Sequence, residues 1–204
     1  MKIGTCVNFS EIDGMGKKFA RLREHNFDSC QLVSWNPAAW TDENASLLKT
    51  LLEQYQITVS AFWCGWSGPA AWNFYDGPLT LGLVPVEYRQ MRIENLCDGA
   101  DFAHKLGITD VVTHMGFIPE NPYDPNFSSF CIAVRTVAEH LKKNGQCLLF
   151  ETGQETPVTM LRCFEAVGTD NLYVNLDTAN LILYGKANPA DALDVFGKYV
   201  RNLH

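Results

Sequence analysis

Three residues have the chemistry to share a metal ion if the chain brings them together: Glu151 in LLFETG, Asp177 in VNLDTAN and His204 in VRNLH. Two carboxylates and an imidazole suit a hard or borderline divalent cation such as Mn2+, Mg2+, Co2+ or Zn2+. Their separations are nearly equal, 26 residues from Glu151 to Asp177 and 27 from Asp177 to His204. Each interval has the length of one strand–helix unit, which predicts three adjacent strands presenting these side chains side by side at similar height. The competing explanation is that the acids cap the following helices and that the histidine faces water. His114 ends the run VVTHMG in the same manner. Alternate residues of a strand share a face, so Asn175 lies one layer below Asp177 and Asn202 one layer below His204, where each can orient a donor.

The elements that must position these groups are read from period. Seven short β-rich runs, KIGTCV, SCQLVSW, TVSAFWCGW, DVVTHMG, QCLLFETG, LYVNLDT and YVRNLH, alternate with longer stretches of helical spacing. In residues 127–143, for example, Phe127, Phe130, Cys131, Val134, Val137, Ala138 and Leu141 form one apolar stripe. Leu47, Leu48, Leu51, Leu52 and Tyr55 are expected to form another. Such alternation predicts an α/β fold with a parallel sheet. An open doubly wound sheet would carry a Gly-rich phosphate turn after its first strand, and VNFSEIDGMG is not one. The expectation is therefore a TIM (β/α)8-type barrel, incomplete here, with about seven strands and six helices in one domain spanning residues 1–204. Connections from helix to strand are brief. Those from strand to helix are long, notably CGWSGPAAWNFYDGPLTLGLVP and GFIPENPYDPN, which makes the carboxyl ends of the strands the expected active face.

Composition narrows the partners. Sixteen Lys and Arg against 23 Asp and Glu give a net charge of −7, which repels nucleic acid. The seven cysteines are odd in number and never form C-x-x-C, so they are read as reduced thiols of a cytoplasmic protein rather than as a disulfide or zinc framework. MKIGTCVNFSEIDG lacks the apolar region of a signal peptide, and no apolar run approaches the roughly 18 residues of a membrane span, so no membrane association is expected.

The motifs FETGQETP, VNLDTANLILYG and DVFGKYVRNLH make the whole chain resemble the sugar phosphate isomerase/epimerase family of xylose isomerase-like TIM barrels, which includes ketose 3-epimerases, hydroxypyruvate isomerases and inosose dehydratases. The resemblance implies one bound divalent ion, Mn2+ in the first instance, with ligands from strands five, six and seven at Glu151, Asp177 and His204. A fourth, a carboxylate from strand eight, has no counterpart among the 204 residues. The chain is therefore expected to be a barrel truncated after strand seven. Such a wall cannot close and leaves strands one and seven as free edges, which predicts weak metal binding and self-association into a homo-oligomer.

The resemblance further implies proton abstraction next to a carbonyl through an enediolate, with Glu151 as ligand and acid/base group and a small carbohydrate as substrate. His114 would contact that substrate, or serve as ordinary hydrogen-bonded structure. Glu155 of ETGQET matches a second family acid, or is a first-turn acid that favours the helix dipole. Asn180 stands where the family often has histidine; it can donate to a hydroxyl but cannot carry a proton. Aromatic rings after strands two and three would wall the site, with Trp35 and Trp66 as substrate contacts and Phe62 and Trp63 as core. A dehydratase on the same metal site and a non-catalytic sugar-binding barrel are the alternatives. An apurinic endonuclease is disfavoured, because FWCGW lacks the extra histidines of a multi-zinc site and the charge is negative.

Overall fold

The computed structural model describes residues 2–204. Seven strands alternate with eight α-helices: β1 (Thr5–Asn8), α1 (Met15–Glu24), β2 (Ser29–Ser34), α2 (Asp42–Tyr55), β3 (Thr58–Cys64), α3 (Gly77–Thr80), α4 (Val86–Lys105), β4 (Asp110–Thr113), α5 (Pro125–Lys143), β5 (Cys147–Glu151), α6 (Pro157–Val167), β6 (Leu172–Leu176), α7 (Thr178–Leu183), α8 (Pro189–Phe196) and β7 (Val200–Leu203). All neighbouring strands are parallel and lie in sequence order from β1 to β7. The sheet curls into an incomplete TIM barrel with the helices outside it. The two helices beyond the six expected, α3 and α7, are short insertions after β3 and β6. The first strand begins at Thr5, three residues later than the apolar run suggested.

Local chemistry sets the helix boundaries. Asp124, Thr156 and Asn188 each accept a backbone N–H of the first turn, and each is followed by a proline whose missing N–H costs nothing at that position. Gly168, at φ 70°, closes α6 in the left-handed region. In α2 the predicted stripe is shifted: Ala45, Leu48 and Leu52 are buried, whereas Leu47 faces solvent. The helix needs a stripe only wide enough to cover the strands beneath it, and Leu47 lies outside that arc.

Alternation along the strands divides the interior in two. Outward residues such as Leu148, Phe150, Val174 and Leu176 join one continuous core under the helices. Inward residues Ala61, Trp63, Val112 and Leu149, flanked by Val33, Cys147 and Tyr173, fill the barrel itself. Glu151 follows Cys147 and Leu149 in the inward set, and Asn175 and Asp177 follow Tyr173. The same parity that packs the barrel therefore aims the polar strand ends into its mouth.

Two arginines fasten the long β3–α4 loop. Arg92 is fully buried, donates to the carbonyls of Ser67, Pro69 and Gly82, and lies between the rings of Trp66 and Tyr88. Arg89 donates to the carbonyls of Leu83 and Val84 and to Asn126 and Ser129. Neither forms an ion pair among the described residues, so backbone carbonyls, joined at Arg89 by Asn126 and Ser129, satisfy both charges, and burial lowers Arg92 to about 10. Gly82, at φ 65°, passes so close to Met115 that a β-carbon would sit 2.0 Å from its backbone, which ties this loop to the end of β4.

Candidate functional site

Glu151, Asp177 and His204 converge at the carboxyl ends of β5, β6 and β7, each offering one donor atom within 4.8 Å of the others. His204 Nδ1 lies 2.5 Å from Glu151 Oε1 and 3.6 Å from Asp177 Oδ2. The three do not stand at one height, as the spacing suggested. Glu151 is in register with Asn175, one inward layer below Asp177, whereas His204 follows the Leu176–Leu203 pair and is level with Asp177. Barrel strands are tilted and staggered, so donors on neighbouring strands meet along a slant.

The pairing of β7 with β6 is irregular. Val174 pairs with Val200, but Asn175 pairs with Asn202, so β7 bulges at Arg201. After the bulge, Asn202 and His204 share the inward face. Arg201 also points to the interior, where its guanidinium meets Asp110 at 3.0 Å and rests on the Tyr173 ring.

Glu151 is wholly buried, and burial pushes its carboxyl up against the opposing pull of His204 and Asn175. Asn175 donates to Glu151 Oε2 and accepts from Gln31 Nε2 at 3.1 Å, so it orients Glu151 rather than the Asp177 above it. Asn202 orients neither donor; its amide reaches the Ser60 carbonyl at 3.3 Å. Asp177 caps a helix and also faces the cluster. One oxygen accepts the Asn180 N–H at 2.9 Å and caps α7, and the other faces His204. Thr152 Oγ1 both accepts the Asp177 N–H and donates to its carbonyl, each at 2.8 Å, which fixes that strand end to β5. The Cys6 thiol and the Glu151 carboxyl beside it push His204 up to about 10 and favour its doubly protonated ring.

His114 stands on the neighbouring strand, beyond β4. Its Nδ1 lies 3.2 Å from Gln154 Oε1, an acceptor, so Nδ1 carries the proton and Nε2 is left as an acceptor. Burial lowers its pKa to about 3, which keeps the ring neutral. The rings of Trp63 and Trp72 contact it edge-on at centroid distances of 5.2 and 4.8 Å. Trp35 and Trp72 expose part of their rings at the mouth, at 37% and 45%. Trp66 is only 3% exposed and packs under Arg92, so it backs the wall, and the exposed ring over His114 belongs to Trp72. Gly65 allows this: a β-carbon there would sit 2.5 Å from the Trp35 ring. Asn180 is half-buried beside Gly153.

Glu155 is 1% exposed, and neither carboxyl oxygen has a hydrogen-bond partner among the described residues. It precedes Thr156, the cap of α6, and so is not a first-turn acid. Burial raises it to about 8. The indole N–H groups of Trp63 and Trp66 and the Gln154 amide nitrogen are buried without partners as well. Orphaned buried polar groups are uncommon in folded proteins, and these belong to the strand ends and loops around the mouth. Sequence reasoning missed Gln154, Thr152, Gln31 and Cys6. Their signal is tertiary, because each acts through a partner 25 or more residues away.

A family profile described as xylose isomerase-like TIM barrel matches residues 19–204. The chain belongs to the xylose isomerase-like TIM barrel family. A xylose isomerase domain protein from Planctomyces limnophilus superimposes with a TM-score of 0.91 at 30% identity, covering 99% of this chain and 72% of that one. The fold is shared more distantly with an L-ribulose 3-epimerase, at TM-score 0.77 and 20% identity over 100% of this chain and 69% of that one. A xylose isomerase-like TIM barrel protein from Mycobacterium smegmatis, solved in complex with magnesium, gives 0.72 and 21% over 95% and 66% of the two chains. A search of curated protein sequences finds no match. No described helix is long and apolar enough to cross a membrane.

Proposed function

We propose that this member of the family is a divalent-metal-dependent sugar isomerase or epimerase that moves a proton next to a carbonyl. The observation that carries the proposal is the convergence of two carboxylates and an imidazole from three strands on one point, with the central carboxylate buried. A wholly buried Glu151 opposite a second acid is costly unless cationic or hydrogen-bonding partners offset it, and the donor set fits a divalent ion. Glu151, Asp177 and His204 would hold that ion, with Mn2+ the first choice. When bound, it supplies Lewis acidity that draws electron density from the substrate oxygens.

The remaining chemistry belongs to side chains. Glu151, its basicity raised by burial and its orientation held by Asn175, takes the proton from the carbon beside the carbonyl. The C–H electron pair passes into an enediolate; return of that proton to the neighbouring carbon completes isomerisation, and delivery of a proton by a second acid to the opposite face of the same carbon completes epimerisation. Neutral His114 accepts a substrate hydroxyl through Nε2, with its tautomer set by Gln154. Glu155, protonated across the neutral range, and the Asn180 amide act as donors. The half-exposed rings of Trp35 and Trp72 stack on the C–H face of the sugar and exclude water.

Metal analysis together with turnover of a panel of ketoses and inososes tests this proposal. The wild-type protein is expected to bind one Mn2+ and to exchange a substrate carbon-bound proton with solvent. Glu151→Gln is expected to bind Mn2+ at least tenfold more weakly and to lose the exchange. Equal metal content and equal exchange in the two proteins would overturn the proposal, and loss of water from an inosose without epimerisation would assign a dehydratase instead.

A further inference from the structure

The metal reading leaves one group at this site unused. Cys6, on the inward face of β1, places its sulfur 3.4 Å from His204 Nε2. That nitrogen is on the opposite edge of the ring from Nδ1, which faces Glu151 and Asp177. An imidazole that ligates through Nδ1 must keep its proton on Nε2, and the ring stays aimed only if something accepts that proton. Among the described residues Cys6 Sγ is the one partner Nε2 has. Because the sulfur lies behind the ring, it cannot join Glu151 and Asp177 around the same ion.

From this geometry we infer that Cys6 is a positioning residue for His204: its sulfur accepts the Nε2–H and presents Nδ1 to the metal. The inference rests on the metal reading of Glu151, Asp177 and His204. Carboxylates and carbonyls commonly serve as the outer partner of a ligating histidine; here a thiol serves, from a strand that contributes no ligand. The site is thereby tied to β1 as well as to β5–β7, across a cavity of about 600 Å3 lined by Cys6, Gln31, Ser60, Asn202 and His204. Of the seven cysteines, Cys6 alone is exposed.

Titration calorimetry with Mn2+ on the wild-type protein and on Cys6→Ala, Cys6→Ser, Cys97→Ala and Glu151→Gln tests the role. Cys6→Ala is expected to weaken Mn2+ binding about 10- to 100-fold, in the range that loss of an outer partner produces. Its melting temperature without metal should stay at the wild-type value. Cys6→Ser, which keeps an acceptor, should restore most of the affinity, and Cys97→Ala should bind as wild type does. A Cys6→Ala protein with wild-type affinity, alongside a Glu151→Gln protein that has lost it, would overturn the role of Cys6 while leaving the metal site standing. Wild-type affinity in Glu151→Gln would overturn the metal reading, and this role with it.

Discussion

At the scale of single residues, the polar groups of the barrel mouth differ in how they are satisfied, and Glu155 is the extreme case. Both of its oxygens are buried without partners, and the surrounding protein raises it to about 8 from an ordinary value of 4.5. Between those two values the folded protein holds a proton that the unfolded chain has released. The protonated group's contribution to stability is therefore fully present below about 4.5 and is lost as pH rises through about 8. Glu155→Gln keeps the neutral shape at every pH. Its stability, followed by thermal melting, should gain on that of the wild type from pH 5 to about pH 8, by at most about 1.4 kcal/mol per unit of pH, and level off above that. Parallel profiles for the two proteins would show that Glu155 is ionised in the fold. Asp177 illustrates what a sequence conveys at this scale. Capping and ligation predicted the same residue type at the same place, and only the fold separates the two oxygens, one on the cap and the other facing His204.

At the scale of elements, much of the site was already legible. Alternating runs and helical stripes gave seven parallel strands, and strand parity put Glu151, Asp177 and His204 on the inward side. Long strand-to-helix loops marked the end at which Glu151, Asp177 and His204 gather. The stagger of the donors was not legible, because it depends on strand tilt, and neither was the arginine clamp of the β3–α4 loop, which depends on carbonyls far along the chain. The bulge at Arg201 was not legible either, because it appears only in the pairing of β7 with β6. Arg201 and Asn202 both point inward, so losing Arg201 would leave Val200, Asn202, Leu203 and His204 in ordinary alternation, with His204 still on the inner face. Deletion of Arg201 is therefore expected to retain Mn2+ binding. Arg201→Met, which sacrifices the ion pair with Asp110 but keeps the bulge, should retain binding within about tenfold and lose about 1–3 kcal/mol of stability. Loss of Mn2+ binding in the deletion protein but not in the substitution protein, measured by calorimetry, would refute this account of the bulge.

Across the whole molecule, the candidate site joins regions with different mechanical support. β5 and β6 have hydrogen-bonded neighbours on both sides, and Phe150, next to Glu151, belongs to the continuous core. Among the described residues β7 pairs only with β6, and β1 only with β2. Strands held on one side open at lower free energy than strands held on both, so amides of β1 and β7 should exchange with solvent well before those of β3, β4 and β5. This gradient makes the site responsive to its ligand. An ion shared by Glu151, Asp177 and His204 would connect the labile β7 to the supported β5 and β6, and it stabilises only states in which all three donors are gathered. Saturating Mn2+ should therefore slow exchange in β7 by tenfold or more, with a smaller effect in β1 transmitted through Cys6 and almost none in β3 and β4. Hydrogen-exchange mass spectrometry on peptides covering these strands, with and without Mn2+, distinguishes the possibilities. Uniform slowing over all seven strands would mean that the ion acts on global stability, and no slowing in β7 would mean that His204 is not a ligand.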